Sequence, residues 1–282
     1  MLTRFTQLLI LIIKIIDLLI HKIFKIDFYG FLNDKIVQRY NFIFIKNKKI
    51  KFFIPNHISK WRVETFFNKE PETLEWIDNF KKKKIIFWDI GANVGLYSIY
   101  ASIAHSKIKV YSFEPSFLNL NILSRNIFIN NLKNKIRIFQ LPLNDKYFNF
   151  SEMNETTLST GGAFSGFGNN LKNYEGKKVL NSYQILGVSL DTLIENKILD
   201  IPDYIKIDVD GLEHLILNGF SKFVSNKKIK SILLEIDEDK KKLNKKIFKF
   251  LKNKKFVLNK KEQSNITKFS SPKVFNYIFD KK

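Results

Sequence analysis

The sequence predicts an α/β protein: a largely parallel sheet with helices on both faces, preceded by an N-terminal helical and hairpin extension. Three observations carry this. From Lys82 onward, short apolar runs alternate with stretches of helical periodicity. The runs read as strands buried on both faces, which is how a helix-covered parallel sheet appears in sequence. A glycine-containing loop follows the first run and opens the first helix, the end of such a sheet where ligands bind. With 282 residues and 45% hydrophobic side chains, the chain can bury one sizeable core and carry a smaller appendage.

The elements follow in order. Residues 8–20 are nearly all aliphatic, interrupted by Lys14 and Asp17. Each central charge costs about 2.5–3.5 kcal/mol on insertion and each Leu or Ile returns only about 0.3–0.6, so the run sums to nearly zero. Gln7, Lys14, Asp17 and His21 fall near one side of a helix, and no small-residue cleavage site follows. Three placements stay open for this amphipathic helix: packed on protein, lying in a membrane interface through residues 5–24, or spanning. Residues 42–45 and 50–54 flank a polar turn containing Asn47 and predict a β-hairpin. Glu70-Pro71-Glu72-Thr73 starts a helix, with Pro where no hydrogen bond is lost. We divide the chain into an extension, residues 1–69, and a main domain, residues 70–282.

In the main domain, strands are predicted at 85–88, 108–113, 136–141, 204–209 and 231–236, with closing strands at 256–258 and 274–279. Helices are predicted at 97–104, on the Phe117, Leu120, Leu123, Ile127 stripe, around Leu212, Leu215 and Ile216, and on the Leu243, Ile247, Phe250, Leu251 stripe. Residues 151–183 are polar and Gly-rich, and read as a long substrate-side loop.

Cysteine is absent, which excludes disulfides, thiolate metal sites and cysteine nucleophiles and fits a reducing, cytoplasmic setting. The net charge is +21, from 48 Lys and Arg against 27 Asp and Glu. The excess is lysine spread beside Ile, Asn and Phe throughout the chain rather than Arg and aromatics gathered on one surface. It favours anionic partners in a salt-dependent way without marking a dedicated nucleic-acid site.

The sharpest motif is Asp89-Ile90-Gly91-Ala92-Asn93-Val94-Gly95, between a strand and a helix. Glycines at such a turn admit close backbone approach. The spacing differs from the dinucleotide G-x-G-x-x-G, and an acid two positions before the first glycine would repel a pyrophosphate. It suits a ligand with an ammonium and a sulfonium: S-adenosylmethionine. Glu114, in Phe113-Glu114-Pro115, ends the next strand about 25 positions on, where an acid accepts hydrogen bonds from ribose hydroxyls. Asn144 and Asp145 follow the third strand, on the expected adenine side. We take Asp89, Gly91, Asn93, Gly95, Glu114, Asn144 and Asp145 as the cofactor-binding set.

A third constellation, Lys206-Ile207-Asp208-Val209-Asp210-Gly211-Leu212-Glu213, lies at the C-terminal end of the fourth strand. Lys206 and Asp208 share a strand face, and a buried lysine there must be paired or functional. Lys206, Asp208 and Asp210 are the candidate catalytic residues, with Asp208 or Asp210 as base; Glu213 and Glu235 are candidate acceptor contacts. Carboxylate oxygens are the ligand type of divalent ions, but no metal ligand is assigned. His57, His105 and His214 are the remaining candidate bases.

At these residues the chain resembles the FkbM-type methyltransferases. The shared pieces are the Asp89 to Gly95 motif, Phe113-Glu114-Pro115, Ser189-Leu190-Asp191-Thr192-Leu193 and the Lys206 to Glu213 motif. Their order and spacing agree over roughly residues 70–237. The resemblance implies a seven-stranded Rossmann-like sheet, S-adenosylmethionine as donor and, commonly, O-methylation of a hydroxyl on a sugar, glycan or natural product. The family usually carries Glu where this chain has Asp210, one methylene shorter. RNA or protein methylation and a non-catalytic binding module are the alternatives.

Overall fold

A computed structural model describes residues 2–168, 173–174, 177–264, 266 and 273–282. The chain opens with helices α1 (Leu2–Phe24) and α2 (Phe28–Ile36). A hairpin follows, β1 (Tyr40–Ile45) and β2 (Lys48–Phe53), with Ile45 paired to Lys48. Its turn is two residues, Lys46 and Asn47, both at positive φ. This is the mirror-image turn whose twist matches a hairpin, and Asn tolerates it best. The hairpin is fastened to the main domain by asparagines: Asn126 Oδ1 accepts from the Phe53 N–H (2.8 Å) and Asn130 Oδ1 from the Lys51 N–H (3.0 Å).

Helices α3 (His57–Glu64), α4 (Phe66–Lys69) and α5 (Pro71–Asp78) lead into the main sheet. Asn56 caps α3 by accepting from the Ser59 N–H, and the Ser59 hydroxyl faces back to the Asn56 N–H, so two otherwise unpaired donors are satisfied together. Then come β3 (Ile85–Ile90), α6 (Leu96–Ala104), β4 (Ile108–Phe113), α7 (Phe117–Ile129) and β5 (Ile136–Phe139).

Residues 151–183, expected as a long loop, contain strands. β6 (Phe148–Glu155), β7 (Ser165–Phe167) and β10 (Asn181–Val188) form an antiparallel sheet in the order β10-β6-β7. Between them lie the two-residue strands β8 (Asn173–Tyr174) and β9 (Lys177–Lys178). The pairing supplies the backbone partners that a Gly- and Asn-rich composition does not advertise. Part of the expected loop, including Asn169 and Asn170, lies outside the described residues.

The chain returns to the main sheet through α8 (Leu190–Glu195), β11 (Tyr204–Ile207), α9 (Glu213–Asn218), β12 (Ser231–Asp237), α10 (Lys241–Asn253), β13 (Phe256–Glu262) and β14 (Val274–Lys281). The seven strands run in the order β13-β14-β12-β11-β3-β4-β5. β12, β11, β3, β4 and β5 are mutually parallel and β14 is antiparallel to both neighbours. This is the predicted Rossmann-like seven-stranded sheet. Its two faces bury separate apolar clusters, one around Phe87, Ile99 and Val110, the other around Trp88, Tyr111 and Ile205. Adjacent residues therefore point into opposite cores, as strand alternation requires. The order reverses between β3 and β11, so the carboxyl ends of β3, β4, β11 and β12 open onto one crevice.

Candidate functional site

The crevice holds a cavity of about 380 Å³, within the usual size range of small-molecule sites. A smaller one of about 40 Å³ adjoins it, sharing Arg62, Lys69, Gly91, Asn93 and Asp208. The β3–α6 loop forms one wall. Gly91 (φ +83°) and Gly95 (φ +87°) sit in the left-handed region. A Cβ on Gly91 would overlap the Asp208 carbonyl oxygen, and one on Gly95 would strike Leu123 Cδ1 at 2.5 Å. The glycines are thus required by the protein's own packing of loop on strand and helix, where the sequence suggested approach by a ligand.

Glu114 ends β4 and reaches that wall. Its Oε2 accepts from the Asn93 N–H (2.7 Å) and its Oε1 from the Ser116 N–H (3.0 Å) and Asn119 Nδ2 (3.5 Å). Burial still pushes its carboxyl up to about 7 against these donors. Asp89 lies deeper than expected: it is fully buried behind the loop and is not among the lining residues. Its Oδ2 accepts from the Ser98 hydroxyl (2.5 Å) while Oδ1 has no partner. Asn93 does line the cavity, and its Oδ1 is likewise buried without a partner. Asn144 and Asp145 stand off the wall. Asn144 is buried, donates to Asn149 Oδ1 (2.5 Å) and accepts from the Lys146 N–H (2.7 Å), while Asp145 is exposed. The stretch Leu141-Pro142-Leu143 lines the cavity in their place, with Ile90, Phe113 and Ile216.

The opposite wall comes from β11, α9 and β12. Lys206 is buried and donates to Asp208 Oδ2 (2.7 Å). Burial alone would lower Lys206, but the Asp208, Asp89 and Glu70 carboxylates outweigh it and hold the ammonium above its ordinary range. Burial would likewise raise Asp208; the Lys206 and Lys69 ammoniums, with a hydrogen bond from Glu235, hold it low. Glu235 is pushed well above the carboxylate range by burial and then by the Asp208 charge. The two are thus pushed apart, Asp208 toward its ionised form and Glu235 toward its protonated form. Asp210, at positive φ, accepts from the Phe164 N–H (2.9 Å). Glu213 accepts from the Gly211 N–H (2.9 Å), and burial pushes it up to about 7. Lys206 borders the smaller cavity; Asp208, Asp210, Glu213 and Glu235 all line the larger.

Of the histidines, His214 lines the cavity with Nδ1 unpartnered, and burial lowers its proton affinity. His105 bonds the Ile77 carbonyl and stacks on Phe80; His57 is exposed. Among the described residues no group of three or more His, Asp or Glu side chains could hold a metal ion.

Several lining residues gave no sequence signal. Trp61 and Arg62 on α3 and Lys69 on α4 reach the cavity from the segment before the main sheet. Lys69 pairs with buried Glu70, which also accepts from the Tyr97 hydroxyl (2.7 Å). The pairing of a lone Lys-Glu dipeptide with a strand-end carboxylate cluster cannot be read from spacing. The segment 159–164 supplies Gly162, Ala163 and Phe164 to the lining and is held by side chains: Arg62 Nε donates to the Gly161 carbonyl (2.6 Å), Asn93 Nδ2 to the Gly162 carbonyl (2.7 Å) and Asn56 Nδ2 to the Thr160 carbonyl (2.9 Å).

The lining carries Glu114, Asp208, Asp210, Glu213, Glu235 and Asp237 against Arg62, Lys69 and Lys240. A protein of net charge +21 therefore holds an acid-rich crevice. Burial raises the proton affinity of three of these acids, Glu114, Glu213 and Glu235, so the negative charge of the lining grows as pH rises. The residues fit S-adenosylmethionine: the unpartnered Asn93 Oδ1 at the cavity wall suits an ammonium and Glu114 suits a ribose diol, while Asp89 stands behind the loop and does not reach the cavity.

Residues 89–258, more than half of the chain, match the model of the Methyltransferase FkbM domain. A curated relative, Methyltransferase sdnD of Sordaria araneosa, is 34% identical over 55 residues, which is 20% of this chain and 21% of that protein's length. Among solved structures, Methyltransferase FkbM from Methylobacillus flagellatus KT is similar with a TM-score of 0.48 and 13% identity, covering 70% of this chain and 44% of that one. M. jannaschii TYW2 in complex with AdoMet is similar with a TM-score of 0.43 and 11% identity, covering 87% and 88%.

Proposed function

This chain belongs to the FkbM family of methyltransferases, and we propose that it transfers a methyl group from S-adenosylmethionine to a hydroxyl of a sugar, glycan or lipid-linked saccharide. The carrying observation is the carboxylate-rich cavity of an otherwise basic protein, at the switch point of the sheet. When bound, S-adenosylmethionine supplies an activated methyl on a sulfonium. The chain's own residues then have modest tasks. Asn93 holds the amino end, with Asp89 fixing α6 behind the loop through Ser98, Glu114 accepts from the ribose, and the Leu141 to Leu143 stretch with Phe113 and Ile216 encloses the base.

Asp208, kept ionised by Lys206 and Lys69, and Asp210, oriented by the Phe164 N–H, accept hydrogen bonds from acceptor hydroxyls and set the line of attack. Glu213 has a proton affinity near neutral pH, which is what a base removing a hydroxyl proton needs. Two features favour a saccharide. Carboxylates are acceptor-only groups matched to polyols, and Trp61, 39% exposed at the cavity, offers an aromatic face to a sugar ring. An RNA acceptor would bring phosphates against these acids.

The test is incubation with S-adenosylmethionine labelled in the methyl group and a panel of oligosaccharides, lipid-linked saccharides, RNA and protein. Label in a saccharide product that survives mild alkali, as a methyl ether does and an ester does not, supports the reading. Label confined to RNA or protein replaces it.

A further inference from the structure

We propose that α1 lies in the surface of an anionic lipid bilayer, held by its apolar face and by the cations around it. No residue from Arg4 to Phe44 is buried, although this segment is among the most aliphatic of the chain. On α1, Ile13, Asp17 and Ile20 are half-buried and lie on one stripe at helical spacing. That stripe faces α2, where Asp17 Oδ1 accepts from the Tyr29 N–H (2.8 Å). The opposite side carries Leu8, Leu11, Ile15, Leu18 and Leu19, each at least half exposed and Leu18 at 69%. A continuous strip of this kind is far more apolar than the surface of a soluble monomer and needs a cover.

The charges say which cover. Asp17, the one acid of α1, is engaged toward α2. Lys14 flanks the strip on one side, and Arg4 and Lys22 lie near its two ends, all exposed. Their stems can lie along the apolar face while their heads reach lipid phosphates. The helix cannot cross: among the described residues no helix is long and apolar enough to span. A strongly amphipathic helix with a cationic polar side and no capacity to span is the physical description of an in-plane anchor. A second copy of this chain would set cation against cation, which disfavours α1 pairing with itself.

The full chain is sedimented with vesicles of phosphatidylcholine alone and with vesicles containing phosphatidylglycerol. The expected result is binding to the anionic vesicles at least about tenfold tighter than to the neutral ones. Binding is lost in the triple variant Leu8→Glu, Ile12→Glu, Leu19→Glu, while its thermal unfolding is unchanged because none of these side chains is buried. Absence of the wild-type chain from both vesicle pellets overturns the proposal. So does a stable dimer in sedimentation velocity that the same variant converts to monomer, because the cover would then be a second copy.

Discussion

The Asp208 carbonyl oxygen occupies the space that a Cβ on Gly91 would need. The two strands meet there: the Asp208 N–H donates to the Ile90 carbonyl (3.0 Å), locking the end of β11 against the loop after β3. Gly91→Ala must therefore shift backbone and also hold a positive φ, each costing about 1–3 kcal/mol. We predict a loss of about 3 kcal/mol or more by denaturant unfolding. Gly168 has a positive φ and open space around it, so Gly168→Ala should cost the conformational part alone. Equal losses in the two variants would show that packing at Gly91 is not the constraint.

Glu114 sets a pH dependence on cofactor binding. Burial holds its folded-state pKa at about 7, so the carboxylate that ribose hydroxyls require is present above that pH and lost below it. The affinity for S-adenosylhomocysteine, followed by calorimetry, should fall as pH drops from 8 to 6. Glu114→Gln should flatten this profile and weaken binding at pH 8 about tenfold, the worth of one hydrogen bond to a charged group. A profile unchanged by the substitution would place the titrating group elsewhere.

How much of this was legible in the sequence differs between walls of one cavity. The β3 loop, Glu114 and the Lys206 to Glu213 run announced themselves because each sits at the end of an apolar strand, where a charged residue interrupts burial. The depth of Asp89 was not legible: strand alternation points it inward, but its hydrogen bond to Ser98, nine positions on in α6, closes behind the loop and follows from packing rather than from spacing. Residues 148–188 concealed a sheet because β6 and β10 are half exposed, and their Asn, Ser and Glu residues favour turns as readily as strands. Trp61, Arg62 and Lys69 were invisible because nothing local links α3 and α4 to the sheet edge; only long-range packing brings them there.

Lys206 neutralises the carboxylates of the core beneath the site. Removing it in Lys206→Met leaves buried Asp89 and half-buried Asp208 without the Lys206 cation. Breaking a buried pair from one side costs about 3–5 kcal/mol. We expect a loss of that order in urea unfolding at pH 8, reduced when Asp208→Asn is combined with it. Additive losses in the double variant would mean that the two groups do not act as a pair.

Glu235 burdens the fold at high pH. Its proton affinity is well above the ordinary 4.5 in the folded protein, from burial and then from Asp208. A carboxyl raised on folding contributes most below its unfolded pKa, and that contribution is lost as pH rises above it. Glu235→Gln keeps a neutral hydrogen-bond donor toward Asp208 and removes the titration. The variant should therefore gain melting temperature over the wild type at pH 8 and gain much less at pH 5. A gain of the same size at both pH values would show that the carboxyl is not protonated in the fold.

Arg62 on α3 holds the segment that runs into Gly162, Ala163 and Phe164 of the cavity lining, through the Gly161 carbonyl. The same segment is held by Asn93 and Asn119, which also serve Glu114, so cofactor wall and covering segment share their anchors. Arg62→Ala should loosen the segment and speed chymotrypsin cleavage after exposed Leu158 or after Phe164 several-fold. S-adenosylhomocysteine, by fixing Glu114 and Asn93, should slow cleavage in both wild type and variant. If the ligand protects neither, wall and segment move independently and the shared asparagines do not couple them.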